Sequence, residues 1–230
     1  MGEAVKKYLR GLFFIFFICQ TLYAEDDVDK LKRRVSIICP NTPGWCSEEK
    51  GLNFLDLVLE VKPKVCVEIG VFGGASLIPV AAGLKFLNAG IVIGIDPWNS
   101  GEAIKHLDTL EEKEHIDWWS KINLSEIYYS FLERLLLYDL EKHCVILKKT
   151  SEQAAFEMGE IDILHIDGHR SETQTVQDVR LYLPKVVSGG HIWLGDALNY
   201  NKQKAIDFLL TQCDVIKVIE NGNCILFKKR

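Results

Sequence analysis

The 230-residue chain is short of proline (6) and methionine (2), and it contains no internal repeat. Those shortages exclude collagen and a low-complexity array. A hydrophobic share of 48% against 26% charged residues excludes disorder as a description of the whole. Positive charge is also lacking: 27 Lys+Arg stand against 32 Asp+Glu, a formal charge of −5. A nucleic-acid binder relying on bulk charge is therefore disfavoured. Seven cysteines are too dilute for a disulfide scaffold. The prominent apolar run, Gly11 to Cys19, falls well short of the roughly 20 residues that a bilayer-spanning helix needs. What remains is the length and balance of one well-buried domain.

Lys6, Lys7 and Arg10 precede that run, and a polar tail ending in Ala24 follows it. Basic flank, short apolar core and small terminal residue are the layout of a secretory signal peptide over 1–24. Retained, the segment would be a membrane anchor, the only membrane contact expected; a cytoplasmic chain with a buried N-terminal helix is the alternative. Ile18 is too bulky before Cys19 for a lipid-attachment box. Loss of 1–24 removes three positive charges and one negative, leaving −7 and six cysteines. Cys39 and Cys46 flank a Pro/Gly turn, where a local disulfide and two separate thiols stand as equal readings.

Residues 25–49, a charged stretch followed by a Pro/Gly loop, read as a cap on a domain over 50–230. A helix is expected around 48–60. From Val65 onward, short β-branched runs alternate with longer helical stretches. Strands are expected at Val65–Gly70, Ile91–Asp96, Cys144–Leu147, Ile161–Ile166 and His191–Leu194. Helices are expected at Ser76–Leu87, from Ser151, at Thr173–Val187 and at 201–211. A closing hairpin, 214–219 and 224–227, turns at Asn221-Gly222. Apolar strands alternating with helices predict a doubly wound, Rossmann-like α/β fold with a seven-stranded, mostly parallel sheet and a C-terminal antiparallel hairpin. The connection 97–142 should hold one or two helices. Its Trp118-Trp119 and Tyr128-Tyr129 either wall a substrate pocket or pack a helix onto the domain. Glu111-Glu112-Lys113-Glu114 reads as a solvated helix face. Cys66 and Cys144 fall on strands with another between them, and Cys213 and Cys224 are out of register in the hairpin, so all four read as thiols.

The strongest local signal is Val67-Glu68-Ile69-Gly70-Val71-Phe72-Gly73-Gly74-Ala75-Ser76. A buried strand ends in a glycine turn that opens a helix, so Gly70, Gly73 and Gly74 allow close backbone approach and the helix N-terminus favours an anion. Glu68, inside the strand end, suits an ammonium group rather than a pyrophosphate. Asp96, ending the next strand, can take both ribose hydroxyls of an adenosine ligand.

Glu-x-Gly-x-x-Gly-Gly-x-Ser followed by Gly-Ile-Asp-Pro-Trp resembles the class I S-adenosylmethionine-dependent methyltransferases, in particular the branch of catechol O-methyltransferase and its bacterial small-molecule relatives. Ile166-Asp167-Gly168-His169-Arg170, then Asp178, then Ser188-Gly189-Gly190-His191-Ile192-Trp193-Leu194-Gly195-Asp196 resembles the same branch. The likeness runs over about 50–228. It implies S-adenosylmethionine as cofactor, with Glu68 and Gly70 lining its methionine part, Ser76 on its carboxylate, and Phe72 and Gly74 also among the residues that bind it. Asp96 would hold the ribose, Trp98 would shield the adenine, and Ser151 would lie at the adenine edge. Asp167 would stand at the methyl-transfer site. Asp167 and Asp196 match metal ligands of the members that use a divalent cation such as Mg, but Ala197 departs from the amide or acid that usually follows, with Asn199 as a loop substitute.

Methyl transfer is an in-line displacement, so the protein supplies mainly orientation and deprotonation of the acceptor. A divalent cation on carboxylates could lower a hydroxyl pKa; otherwise His169 is the candidate base, with a loop histidine bonded to backbone as the equal reading. Arg170 would pair with an acidic substrate, Asp178 or Glu172. His165 reads as a satisfied core residue and His191 as structural. The resemblance therefore implies transfer of a methyl group to a small molecule at oxygen. Two rivals stand beside it: a dinucleotide-binding oxidoreductase, and an exported binding protein that keeps the fold without catalysis.

Overall fold

The computed structural model describes residues 27–107 and 113–230; the leader segment 1–24 and the pair Glu111-Glu112 lie outside them. The first described helix, α1, covers 27–38. It falls in the stretch expected to be merely charged, yet Val28, Leu31, Val35 and Ile38 recur at helical spacing. A turn at Cys39–Asn41 leads through a loop to α2 (Glu48–Val61), whose first turn is capped by Ser47 Oγ accepting from Lys50 N. Then come β1 (Val65–Ile69), α3 (Leu77–Leu87) and β2 (Ile91–Ile95). The connection after β2 holds three helices among the described residues: α4 (Ser100–Ala103), α5 (Lys113–Lys121) and α6 (Leu124–Leu137). β3 (Cys144–Leu147), α7 (Ser151–Ala155), β4 (Ile161–Ile166), α8 (Glu172–Tyr182), β5 (Val186–Leu194), α9 (Gln203–Leu210), β6 (Cys213–Ile219) and β7 (Cys224–Lys229) complete the chain.

The strands form one sheet in the order β3-β2-β1-β4-β5-β7-β6. The first five are parallel, and β7 runs antiparallel between β5 and β6, closing the expected hairpin. Side chains alternate between two apolar layers, as the period of a strand requires. Cys66 packs with Phe54, Leu77 and Phe131 on the α2–α3–α6 face, while Val67 and Ile69 pack with Ala154, Val179 and Ala205 on the α7–α8–α9 face. A third cluster, Val35, Cys39, Cys46, Leu55 and Ala75, fastens the N-terminal cap to α2 and the glycine turn.

Two expectations need correcting, and the structure chooses between the two readings of Cys39 and Cys46. The helix expected to run to Val187 stops at Tyr182, because Pro184 forces a 3₁₀ turn and Val186-Val187 already belong to β5. The strand expected at His191–Leu194 begins at Val186, with Gly189-Gly190 as an irregularity within it, opposite the register shift between Ile161 and Ile163. Cys39 and Cys46 are free thiols in side-chain contact; the hydrogen bond from Cys46 draws the Cys39 thiol down and pushes Cys46 up. Cys66 and Cys144 flank Val92 on separate strands, and Cys224 faces Ile219 rather than Cys213, so these four are also free thiols. No helix of the described residues is long and apolar enough to cross a membrane.

Candidate active site

The strand order reverses between β1 and β4, where an open α/β sheet leaves a crevice beyond its carboxyl ends. Two adjoining cavities, of about 350 and 80 Å³, occupy it and share Gly70, Phe72, Asp96 and His169 in their walls. The larger also meets Ser76, Asp167 and Asp196, and the smaller meets Ser151. Eight of the expected site residues thus converge on one cleft.

Glu68, Gly74 and Trp98 do not line it. Glu68 is buried on the α2–α3 side, where it accepts from Ser76 Oγ at 2.6 Å and lies 3.6 Å from His165 Nδ1. Even strand positions face that layer, so the carboxylate sits beneath the cavity floor. Ser76 spends its hydroxyl on Glu68 instead of capping α3. Trp98 is 5% exposed; its indole donates to Phe72 O at 2.8 Å and stacks on Phe131, which makes it the floor of the glycine turn rather than an adenine shield. A Cβ at Gly73 would lie 2.3 Å from Pro43 O of the cap, and one at Gly74 2.4 Å from the Phe131 ring. These two glycines admit protein, whereas Gly70, at φ 88°, lets the β1 turn touch the β4 turn at Gly168.

Asp96 organises the turn. Its Oδ2 accepts from the N–H groups of Val71 (3.1 Å) and Phe72 (2.9 Å), and its Oδ1 from Trp98 N at 2.7 Å. Burial raises its carboxyl above the ordinary value despite those three donors.

At the smaller cavity, Ser151 opens α7 behind a Thr150–Gln153 capping box. Its hydroxyl donates to Asp178 Oδ1 at 2.5 Å, and Gln174 Nε2 donates to the same oxygen at 3.1 Å and to Glu152 Oε1 at 2.9 Å. Burial pushes Asp178 up to about 6. Gln174 and Asp178 line this cavity but were not expected as site residues; a polar i, i+4 pair on a helix has no signature in sequence.

At the larger cavity the groups are ionic. Lys50 Nζ, from α2, donates to Asp167 Oδ2 at 2.7 Å, and His165 Nε2 lies 3.5 Å from the same oxygen. Burial works against both charges, but their attraction prevails: Asp167 falls to about 2 and Lys50 is held above the usual lysine range. Ser76, Glu68, His165, Asp167 and Lys50 therefore form one buried polar line under the strand tips. His165 is not satisfied as expected, since neither ring nitrogen has a hydrogen-bonding partner among the described residues.

Arg170 pairs with neither Asp178 nor Glu172. Its Nε lies 3.8 Å from Asp196 Oδ2, and its guanidinium bonds His115 Nε2 at 2.6 Å. His169 Nδ1 accepts from Ser171 N at 2.9 Å, and the His169 carbonyl takes Lys202 Nζ at 2.6 Å. A neutral ring holding the first bond carries its proton on Nε2, which suits a loop anchor rather than a base. Lys202, 1% exposed, was not anticipated; it also donates to Thr175 Oγ1 and ties the β4–α8 turn to the start of α9. Trp45, Phe72, Trp118 and Trp119 cluster at the mouth with ring centroids 4.8–6.2 Å apart. The tryptophan pair thus walls the cavity, while Tyr128 packs on Trp98.

The donor set does not fit a divalent cation. Asp167 and Asp196 each face a resident cation, Ala197 offers no side-chain ligand, and Asn199 Oδ1 caps Asn201 N at 3.0 Å. Among the described residues no group of three or more His, Cys, Asp or Glu is placed to hold a metal ion.

The methyltransferase-domain family matches residues 67–197, and the chain belongs to that family. No protein of curated function matches the sequence. Among solved structures, the O-methyltransferase NovP is 18% identical, with 80% of each chain covered and a TM-score of 0.64. TomG from Streptomyces achromogenes, an O-methyltransferase of tomaymycin synthesis in complex with SAM, is 12% identical over 87% of this chain and 90% of its own, at a TM-score of 0.60. An O-methyltransferase from Bacillus cereus in complex with SAH is 14% identical over 87% and 91%, at 0.58. At such identities the likeness establishes the fold.

Proposed function

We propose that the protein is an S-adenosylmethionine-dependent methyltransferase acting at oxygen on a small-molecule acceptor. The observation that carries this reading is the division of one cleft at Asp96. On one side lies a narrow cavity with neutral and acidic hydrogen-bonding groups, suited to adenosine; on the other, a wider cavity has ionic groups and an aromatic mouth, suited to an acceptor. Similar folds solved with SAM or SAH support it. Gly70 and Phe72 would contact the cofactor through the turn, Asp96 its ribose, Ser151 its adenine edge and Ser76 the neighbourhood of its carboxylate. S-adenosylmethionine supplies the methyl group as an electrophile. Asp167 and Arg170 orient the acceptor hydroxyl, whose proton is released to solvent at the cavity mouth as its oxygen takes the methyl group; the aromatic cluster limits water there, and His169 holds the β4 turn in place.

Calorimetry on the full chain tests the reading. S-adenosylmethionine and its demethylated product should both bind, and reduced nicotinamide dinucleotides should not; the reverse would make the protein a dinucleotide oxidoreductase. Asp96→Ala should weaken binding at least about a hundredfold, equivalent to about 2.7 kcal/mol. It should also lower stability, because three backbone N–H groups lose their acceptor. We also read 1–24 as an export leader or retained anchor and 25–49 as a cap on the domain. Mass spectrometry of native protein should find Glu25 as the first residue; an intact Met1 in a soluble cell fraction would favour the cytoplasmic alternative.

A further inference from the structure

We propose that Lys50 and Arg170 stand in place of a divalent cation, so that the Asp167–Asp196 pair of the larger cavity works without a metal. This rests on the methyltransferase reading for its function, but the charge arrangement is independent of it. Asp167 and Asp196 end β4 and β5 side by side, where a hard cation would need two or more carboxylates and further oxygen donors. Each carboxylate already faces its own cation: Lys50 at 2.7 Å from Asp167, and Arg170 at 3.8 Å from Asp196. Those two carboxylates and two cations sum to zero. The cavity wall also carries Asp96, which is spent on three backbone N–H groups, and Glu114. A divalent ion placed between Asp167 and Asp196 would therefore face two resident cations.

Lys50 cannot readily yield the position. Its side chain is 3% exposed, its ammonium lies 5.8 Å from the Phe54 ring centre, and it sits in the first turn of α2. That turn is pinned at both sides. Ser47 caps it and also donates to Glu220 at 2.5 Å, and Gly51 lies so close to Cys39 that a Cβ would meet the sulfur at 2.3 Å. The two cations differ in role. Lys50 lies behind Asp167 and does not line the cavity, so it is a positioning residue that keeps the carboxylate ionised and aimed. Arg170 lines the cavity beside Asp167 and Asp196, where its fork of N–H donors can meet an acceptor oxygen as negative charge develops there.

The test uses manganese(II) alone as the probe, read by electron paramagnetic resonance on the full chain with and without S-adenosylhomocysteine. Wild type should show no stoichiometric site tighter than about 1 mM, the weak end of protein cation sites. Lys50→Met should gain at least about tenfold in manganese affinity, because Asp167 is released to the ion; Lys50→Arg should stay at the wild-type level. A stoichiometric micromolar site in wild type that disappears in Asp167→Asn would overturn the proposal. So would a folded Lys50→Met with no gain in affinity. If Lys50→Met does not fold, the wild-type and Asp167→Asn titrations decide alone. Calorimetric binding of S-adenosylhomocysteine is measured on the same samples: its failure would refute the methyltransferase reading while leaving the manganese result to report on the ion pairs.

Discussion

Asp178 and Asp167 lie at opposite ends of the cleft, both deep in the protein, and their surroundings drive them in opposite directions. Asp178 has only neutral donors, Ser151 and Gln174, with Glu152 nearby; burial dominates and its carboxyl rises to about 6. Asp167 has Lys50 in direct contact, and its carboxyl falls to about 2. The same residue type therefore carries a raised carboxyl at the narrow end and a firmly held anion at the wide end. Partner charge, more than burial, separates the two cavities chemically.

Removing the anion at the wide end should have the largest effect. Asp167→Asn leaves the Lys50 ammonium buried without its counter-charge and should lower unfolding stability at pH 7 by about 3–5 kcal/mol, read by denaturant titration. Because the folded-state pKa of Asp167 is depressed, its contribution is complete above about pH 4 and lost as pH falls towards 2. The gap between wild type and variant should therefore narrow in acid by up to about 2.6 kcal/mol; a constant gap down to pH 2 would contradict the ion-pair account.

Asp178→Asn should act with the opposite sign. The folded protein holds a proton on Asp178 up to about pH 6, the unfolded chain only to about 4, so this group's contribution is full at low pH and lost as pH rises through that window. The variant has no proton to lose. It should be more stable than wild type at pH 7, by at most about 3 kcal/mol, with the advantage shrinking as pH falls from about 6 to about 4. A loss of stability at pH 7 would mean that the ionised carboxylate is preferred after all.

The smallest effect is expected at the mouth. Trp118 is 41% exposed and meets Trp45 edge-on at 5.5 Å, so Trp118→Ala should cost about 1 kcal/mol in stability. Its effect on S-adenosylmethionine affinity should stay within about twofold if the narrow cavity across Asp96 takes the adenosine as proposed; a tenfold loss would merge the two ends into one functional unit.

Much of the cleft was legible in sequence because its parts are local. Gly70, Asp96 and Asp167 each follow a strand directly and Ser151 opens the helix after β3, and strand tips in an alternating β/α chain must share one edge of the sheet. Glu68 and Trp98 were misplaced for a shared reason: which face of a strand or turn looks at the ligand depends on the layer packed against it. Lys50 and Lys202 passed unnoticed, although both sit on the apolar stripe of their helices, Lys50 with Phe54 and Val58, Lys202 with Ala205 and Leu209. A cation at a buried periodic position is the signal that could have found them.

The sparse proline, the β/α alternation and the strand-end glycine and carboxylates determined by themselves the parallel sheet and the edge on which its ligand site lies, since these follow from periods and neighbours along the chain. Tertiary structure alone decided the chemistry of the wide cavity. Lys50 and Asp167 lie 117 residues apart in sequence, and Trp45 and Trp118 come from the cap and the long connection. Electrostatic partnership depends on distance in space, and only the packing of α2 and the cap against the β4 tip brings that ammonium to its carboxylate.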